Sequence, residues 1–437
     1  MASVRPRCGH ILLVLIAFAI ATGLKAQSVQ GIPADPSTSY SQAATVPHDP
    51  LATTKYFAPD IPNRWLDWTA YRGKYVSYKL SFIVLGDYTG FWQNSNSLAQ
   101  VGHQRDQWDT RAMRFALGGR FGRSFPVRYL LSTEYKGFDR PPGAVGWAST
   151  DVFVTAPVVR QKYGSVTFGK TKETFVYEMV GDSANLPQME RLLTPFFTSR
   201  NVGIKYFNSI AHDRMSISGG WFNDWWSKGK PYDGSSNHFT ARVTALPVMS
   251  EDKSSFLHLA FGVRHIGATN GTLQLTGKIE SNVSSDYVDT GKFNALSSTN
   301  YSFEGLANSG PVSFLGEYVY STNDAPAVGN PSFYGTYLTG SWVITGENRP
   351  YDPTVAYARR IIPRHSYGAW EIVGRIGRVD LTNKAIQGGA FNSYSANISW
   401  WPNRRYRIVA GYGRYDLNRN GIVGTTNQFH SRIQWIY

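Results

Sequence analysis

The sequence predicts an all-β protein, a transmembrane antiparallel β-barrel of about 16 strands with long outer loops partly folded into the lumen. Short segments in which apolar and polar residues alternate recur from about residue 75 to the end of the chain. After the N-terminal 26 residues, no stretch approaches the ~18 apolar residues that a membrane-spanning helix needs. The 42 Gly, 26 Tyr and 13 Trp residues also suit strands that face lipid on one side and water on the other.

The N-terminus has the pattern of an export signal. Two arginines precede an apolar run over residues 11–21, and a stretch of small residues ends at Ala26. This pattern predicts a signal peptide at 1–26, because the run is too short for a membrane span; an uncleaved anchor is the alternative. Cys8 is the only cysteine and precedes the apolar run, which argues against a lipoprotein. The exported chain then has no thiol for disulfides or catalysis.

The remaining chain divides into a tail and a barrel domain. Residues 27–70 are predicted to be a flexible periplasmic N-terminal tail, since most of them belong to a stretch rich in Pro, Ser, Ala and Thr without periodicity. Residues 71–437 are predicted to be the transmembrane β-barrel. The strand candidates are 75–91, 111–121, 126–137, 147–156, 163–171, 200–208, 213–223, 237–247, 255–265, 300–308, 311–321, 333–346, 367–380, 390–401, 404–416 and 426–437.

The connections support a barrel in an outer membrane, where short turns at one end alternate with long loops at the other. Long segments at 172–199 and 266–299 each follow an odd-numbered strand and are predicted to be outer loops. Within the second, 272–281 could form another strand, but single-chain bacterial barrels have even strand numbers, so it is assigned to the loop. The long segment 347–366 follows an even-numbered strand and breaks the alternation. A soluble β-sandwich is the alternative fold.

The closing strand shows which face of the wall is polar. In 429–437 (FHSRIQWIY) the aromatic and branched residues fall on one face, and His430, Arg432 and Gln434 fall on the other. An aromatic residue at Tyr437 suits the membrane interface. We therefore predict a location in the bacterial outer membrane, with the outer-membrane lipid as a partner and Arg432 in the lumen.

The net charge of +14 narrows the partners. Nucleic acid, polyanionic surfaces and small anions all suit a basic exported protein. In several upstream strands, arginines alternate with apolar residues and so lie on the face opposite to them. A cation on the lipid-facing side of a barrel costs roughly 2–4 kcal/mol at the bilayer midplane, so these arginines must face inward. A lumen lined with cations enriches small anions. We thus expect small anions, phosphate or similar, as partners and no nucleic acid.

Ten cations are the candidate anion-binding and pore-lining residues. The first outer loop is expected to fold inward and narrow the pore, with Ser183 and Asn185 as neutral donors. For any single residue, a lumen ion pair or a solvated loop position is the alternative. The candidates are Arg114, Arg128, Lys170, Lys172, Arg191, Arg200, Lys205, Lys278, Arg375 and Arg407. Arg128→Glu and Lys278→Glu are each expected to lower anion selectivity.

Three separated segments resemble the phosphate-selective porin O and P family. They are 164–203 (GSVTFGKTKETF…MERLLTPFFTSRNVG), 279–291 (IESNVSSDYVDTG) and 337–352 (YLTGSWVITGENRPYD). The resemblance covers about residues 75–437 and implies a 16-stranded outer-membrane porin, a homotrimer, that conducts anions by passive diffusion. It implies pore roles for Arg128 and Lys170.

The resemblance also implies a ladder of arginines in the second outer loop, of which this chain keeps one cation. Lys278 is that cation, whereas Gln274 and Thr276 take other ladder positions. Met179 and Ile83 stand where the family pattern has a lysine and an arginine. A general porin with weak anion preference is therefore the alternative function.

No catalytic motif is present in the sequence. HExxH and GxSxG are absent, and no cofactor, metal site or catalytic residue is predicted. Residues 164–171 fit the spacing of a phosphate-binding loop, but they alternate as a strand and lack the helix that such a loop precedes. A channel is favoured over an enzyme, and a plugged surface-adhesion barrel is a third possibility.

Overall fold

The computed structural model describes residues 69–135, 146–159, 163–223, 235–268 and 270–437. The predicted signal peptide and nearly all of the predicted tail lie outside the described residues. In the part that is described, no helix has the length and apolar character to cross a membrane.

Sixteen antiparallel strands of the described chain form one sheet that closes on itself, because the first strand pairs with both the second and the last. The strands are β1 (Val76–Gln93), β2 (Gln107–Phe121), β3 (Val127–Tyr135), β4 (Trp147–Pro157), β5 (Ser165–Thr171), β6 (Asn201–Ile210), β7 (Met215–Asn223), β8 (Ser235–Met249), β9 (Ser255–Ala268), β10 (Ser297–Ser309), β11 (Val312–Asp324), β12 (Ser332–Val343), β13 (Ala369–Asn383), β14 (Ile386–Asn403), β15 (Tyr406–Arg419) and β16 (Ile422–Ile436). The barrel and all sixteen predicted strands are confirmed.

Short elements decorate the barrel. A three-residue strand, Ala70–Arg72, pairs with β1. Two-residue strands pair within the loops, as Thr272–Leu273 with Phe293–Asn294, Thr276–Gly277 with Val288–Asp289, and Tyr351–Asp352 with Tyr357–Ala358. The helices are α1 (Ser95–Val101), α2 (Tyr177–Val180) and the 3₁₀ turns Thr194–Phe196 and Pro326–Val328. Segment 272–281 is therefore part of a loop, as predicted.

The two ends of the barrel carry different connections. Loops 172–200 and 269–296 follow β5 and β9 and lie at the same end, which we call the loop end. The opposite, turn end carries short links such as those after β2 and β14. Segment 344–368 also lies at the turn end, so the sequence-based strand count was right and this connection is a long insertion into the turn end.

The wall alternates as the pleat requires. Arg375, Arg407 and Arg432 are nearly inaccessible inside the barrel, whereas the nearby Ile376 and Ile433 are exposed on its outside. The alternation follows from the cost of placing a cation against lipid.

Loop 172–200 folds into the lumen around an apolar core of its own. Its side chains Leu192, Leu193 and Phe196 are fully buried. Two glycines of the facing wall leave space for these side chains. A Cβ at Gly335 would lie 2.7 Å from Leu193, and one at Gly377 would collide with Leu192. Absent side chains on β12 and β13 therefore make room for the loop.

Candidate functional site

Loop 172–200 is held first by its own polar groups. The Glu178 carboxylate accepts hydrogen bonds from the backbone N–H groups of Leu192 and Leu193, at 2.9–3.1 Å. Arg191 returns toward the same turn and donates to the carbonyls of Glu178 (2.5 Å) and Gly181 (3.1 Å). These contacts bring the two halves of the loop together before it touches the wall.

Arginines of the wall then fix the loop in place. Arg375 on β13 forms an ion pair with Glu178, donates to the carbonyl of Glu190 at 3.1 Å and lies over the Tyr337 ring. Arg407 on β15 donates to the carbonyls of Leu186 and Pro187, at 2.9 and 2.5 Å. Both predicted pore residues thus contact the loop. They are anchors that the loop covers, since each is almost fully buried.

Arg432 joins the loop to the seam where the barrel closes. Its guanidinium donates to both carboxylate oxygens of Asp87 on β1, each at 2.7 Å. It also reaches Glu190 at 2.5 Å, and Glu190 pairs with Arg111 on β2 at 2.6 Å. Arg432 does face the lumen, but two carboxylates neutralise its charge.

Further ion pairs hold the loop on the opposite side of the lumen. Glu173 near the start of the loop pairs with Arg264 at 2.7 Å and His238 at 2.9 Å. Glu317 on β11 accepts the backbone N–H groups of Tyr177 and Glu178, at 2.6 and 3.2 Å. Buried polar groups need such partners, and here the ion pairs of Glu173 and the hydrogen bonds to Glu317 connect the loop to the wall.

Segment 344–368 enters the lumen from the turn end and meets loop 172–200. Arg349 forms an ion pair with Glu371 on β13 and donates to the Asn185 carbonyl at 3.0 Å. The Tyr177 hydroxyl accepts the Ala358 N–H at 3.0 Å. Insertions from opposite ends of the barrel therefore touch each other inside it.

Loop 269–296 covers a third region of the lumen. Glu280 accepts hydrogen bonds from Ser393 and Ser395 on β14, both at 3.1 Å, and lies 3.6 Å from Arg375. Lys278 donates to the carbonyl of Asn282 within the same loop at 3.3 Å. This loop therefore packs mainly against β13, β14 and the seam.

A cavity of about 30 Å³ lies between loop 172–200 and the wall formed by β1, β2 and β3. Four arginines and two carboxylates line it. Its lining residues are Ile83, Leu85, Arg111, Ala112, Arg114, Glu134, Asp182, Ser183, Ala184, Arg191 and Arg200. It is the densest meeting of the sequence-predicted residues.

The cavity cations have acidic neighbours that fix their positions. Arg114 pairs with Glu134 at 2.5 Å and Arg200 with Asp151 at 3.0 Å. The Arg114 side chain keeps 18% of its surface accessible, so its pair with Glu134 remains in contact with solvent. Glu190 and Asp151 bring the carboxylates around the four cavity arginines to four, so the remaining positive charge comes from Lys172 and Lys205 beside the cavity.

Lys172 and Asp182 form an ion pair beside the cavity in which both members belong to the loop, with the ammonium 2.5 Å from Oδ1. Burial lowers the pKa of Lys172 to about 8, helped by Arg200 and Arg191 and opposed by Asp182. Burial raises the pKa of Asp182, but Lys172, Arg114 and Arg200 together outweigh it and bring the pKa down to about 2. Lys172 is therefore the loop cation whose charge responds to moderately alkaline pH.

The ten predicted residues fall into three groups. Arg114, Arg191 and Arg200 line the cavity, and Lys172 lies beside it together with Lys205, whose ammonium donates to the Lys172 carbonyl at 3.2 Å. Arg375 and Arg407 are anchors. The remaining three do not line it.

Those three residues lie elsewhere in the fold. Arg128 is paired in register with Arg120, near the turn end. Lys170 is buried and donates to the Ser149 carbonyl at 2.8 Å, while Lys278 stays in its own loop.

Arg111 lines the cavity, although the sequence pattern did not predict it to be a pore-lining residue. Strict alternation puts it on the face opposite Arg114, three residues later. In the structure the β1–β2 register shifts between Leu85 and Gly86, which pair with Ala112 and Thr110, so Arg111 is the extra residue of a bulge. The bulge turns both arginines inward, and nothing in the local sequence signals it.

One protein family matches most of the chain. The model of the family described as phosphate-selective porin O and P matches residues 84–435. No curated protein sequence matches the chain.

Solved structures with the same fold are outer-membrane proteins of low sequence identity. An anion-selective porin from Comamonas acidovorans has TM-score 0.51 and 12% identity, covering 83% of this chain and 100% of its own. The trimer form of OmpT, an outer-membrane protein of Vibrio cholerae, has TM-score 0.53 and 9% identity over 83% of this chain and 100% of its own. OmpF of Salmonella typhi, in complex with daunomycin, has TM-score 0.50 and 10% identity over 84% and 100%.

The similarity to these solved structures shows the fold, and the family match shows that the chain is a porin. Fold and family together indicate a channel rather than an enzyme, located in the bacterial outer membrane. Because the family model matches most of the sequence, the chain belongs to the phosphate-selective porin O and P family.

Proposed function

We propose that this porin lets small anions diffuse passively across the outer membrane, with phosphate-like oxyanions favoured. The path runs between loop 172–200 and the lumen face of β1–β6. The observation that carries the proposal is the convergence of Arg111, Arg114, Arg191 and Arg200 on one cavity, with Lys172 and Lys205 beside it.

The electrostatics of this region favour anions. Low-dielectric walls focus the field of a charged lumen, so an excess of cations enriches anions and repels cations. Lys172 and Lys205 extend the cationic surface from the cavity toward β5 and β6. An anion entering beside the loop therefore meets successive cations along the wall.

Oxyanions suit this cavity better than halides for a chemical reason. Arginine presents a planar fork of donors that matches two oxygens of a phosphate group. Ser183 lines the same cavity and can add a hydroxyl donor, while Glu134 and Asp182 can accept a hydrogen bond from a protonated oxyanion. Chloride offers neither two oxygens nor a proton.

The size of the cavity implies that side chains move during passage. A buried water occupies about 10–15 Å³ of a cavity, so a cavity of 30 Å³ holds about two waters and is too small for a phosphate ion. Arg114 is partly solvent-exposed and long enough to swing aside. Binding must stay weak enough for release, and mobile guanidinium groups meet that requirement.

The test is conductance of the purified protein in a planar bilayer under a KCl gradient. We expect a reversal potential on the anion-selective side, and chloride conductance that falls as phosphate is added. Cation selectivity would overturn the proposal. Anion selectivity that phosphate does not affect would leave a general porin with weak anion preference.

A plugged surface-adhesion barrel is a second candidate, because three insertions pack into the lumen and two of them meet there. Absence of conductance in folded, membrane-inserted protein would favour it over a porin.

The proposed porin is a homotrimer, in line with the trimer form of OmpT. Light scattering of the protein in detergent tests the stoichiometry.

A further inference from the structure

The outside of the barrel carries an apolar groove that the transport path does not use. Neighbouring strands β11 to β15 contribute one row of directly paired residues, Phe314, Gly340, Gly374, Ala396 and Tyr412. The three central positions have little or no side chain, and aromatic rings stand at both ends of the row. The depression they form has a volume of about 540 Å³.

The floor of the groove is open and its sides are apolar. A Cβ built at Gly374 meets nothing within 4 Å, so this glycine is not needed to avoid a clash within the wall. Leu338, Ile376 and Tyr394 form the side nearer the loop end. Ile376 and Tyr394 are about half exposed, so the groove faces the membrane.

Among the described residues, two arginines line the groove: Arg375, whose buried side chain pairs with Glu178 inside the barrel, and Arg414 at the loop end. Arg414 is one of its lining residues, and Arg378 lies two residues beyond Ile376 on β13. Arg414 pairs with Asp416 at 3.1 Å and Arg378 with Asp380 at 2.8 Å. Both arginines keep much of their surface accessible, 55% and 38% of the side chain.

These ion pairs hold the two arginines near the membrane boundary and leave part of each guanidinium group accessible. Exposed ion pairs contribute at most about 1 kcal/mol, so a phosphate can compete for them. Arg378 gives three of its five N–H donors to Asp380, Tyr334 and Asn392, and Arg414 donates to Asp416, so both keep donors for a phosphate. The groove therefore joins an apolar channel to guanidinium groups at one end.

We propose that the groove holds one acyl chain of an anionic, phosphate-bearing lipid of the leaflet at the loop end, with the phosphate at Arg378 and Arg414. Charge complementarity selects this occupant over a second copy of the chain. The two arginines lie where a headgroup sits when its chain runs down the wall. Glycine and alanine on the floor let the chain approach the backbone, the packing that stabilises association in lipid.

The test is native mass spectrometry of the full-length porin in detergent, with added phosphatidic acid. We expect the wild type to retain at least one phosphatidic acid per chain and to prefer it to phosphatidylcholine. Gly374→Leu fills the groove and should weaken binding about tenfold, roughly the loss of two methylene contacts. Arg378→Gln combined with Arg414→Gln should remove the preference for phosphatidic acid.

Two further variants keep the test decisive. Ala396→Leu fills the same groove from the neighbouring strand and replaces Gly374→Leu if that variant does not fold. Ser431→Leu adds the same side chain on the outer face of β16, away from the groove, and should bind like the wild type. Equal lipid binding by all of these variants overturns the proposal. A changed oligomeric state with unchanged lipid binding also overturns it, because the groove is then a contact between copies.

Discussion

The two sides of the lumen use arginine differently. On the side formed by β8–β16, which we call the anchor arc, Arg264, Arg375, Arg407 and Arg432 are covered by loop 172–200. On the side formed by β1–β6, which we call the passage arc, Arg114 remains partly accessible and borders a cavity.

The difference shows that a cation in a porin lumen has two separate uses. A fully buried arginine must be paired, and its partners here are carboxylates and carbonyls of the loop, so its charge serves the position of the loop. A partly solvated arginine keeps an electrostatic field that mobile ions experience. Solvent exposure therefore separates Arg114 from the anchors, whereas Arg111 and Arg200 line the cavity but are buried and paired as the anchors are.

The largest effect is expected from removing an anchor. Arg375→Met leaves the buried Glu178 carboxylate without its ion pair, and breaking such a pair costs about 3–5 kcal/mol. This raises the population of chains with an unseated loop by roughly a hundredfold or more. Single-channel recordings should show higher and noisier conductance.

Arg378→Met is the matched control for that variant, because it removes an arginine from the outer face of the same strand. It should leave conductance unchanged. Identical recordings for both variants would mean that Arg375 does not position the loop.

The passage arc should control selectivity. Arg114→Gln removes one of four cavity cations while keeping a shorter, polar and uncharged side chain. A unit charge at about 8 Å contributes about 2 kcal/mol at an effective dielectric constant near 20, before screening. We therefore expect the anion-to-cation permeability ratio to fall about tenfold, measured as a reversal potential at low salt. An unchanged potential would place the ion path elsewhere.

A smaller change is expected with pH. Lys172 has a pKa of about 8, so it is mostly charged at pH 7 and mostly neutral at pH 9. Raising the pH across this range removes one cation beside the cavity, and anion selectivity in KCl should fall. Lys172→Arg keeps its charge at pH 9 and should reduce the decline. A decline of equal size in both proteins would assign it to another group.

The smallest effects are expected from Arg128 and Lys278, two of the candidates that lie outside the cavity. Arg128→Glu and Lys278→Glu should still lower anion selectivity, because the lumen field is long-ranged, but each by less than Arg114→Gln. Reversal potentials in the same salt gradient provide the ranking. If either exceeds Arg114→Gln, the narrowest selective region lies near that residue instead.

The fold was predictable because membrane and lumen impose opposite demands on alternate residues. Ile376 and Ile408 had to face lipid, and Arg375 and Arg407 had to face inward, so period-2 alternation located every strand. Segment 344–368 shows the limit of this logic. Its length broke the expected alternation of loops, and only its contacts with Asn185 and Tyr177 reveal that it fills the lumen from the turn end.

The site was only partly predictable, for two physical reasons. Arg111 depends on a bulge that local alternation does not reveal. The roles of Arg375 and Arg407 depend on Glu178 and Leu186, which lie about 200 residues away in the chain. Sequence patterns assign the face of a residue, whereas burial by a distant loop decides whether its charge is available.

The Arg432 ion pairs have a consequence for assembly. One guanidinium contacts Asp87 on the first strand and Glu190 on the inserted loop, and it belongs to the last strand itself. Closing the seam and seating the loop thus satisfy the same buried charges. In a folding intermediate with an open seam, Arg432 is not held by Asp87 in the position where it pairs with Glu190 of the loop. In an intermediate with the loop outside the lumen, Arg432 lacks its contact with Glu190. We therefore expect barrel closure and the seating of loop 172–200 to be cooperative, so that a barrel with a closed seam already holds this loop in its lumen.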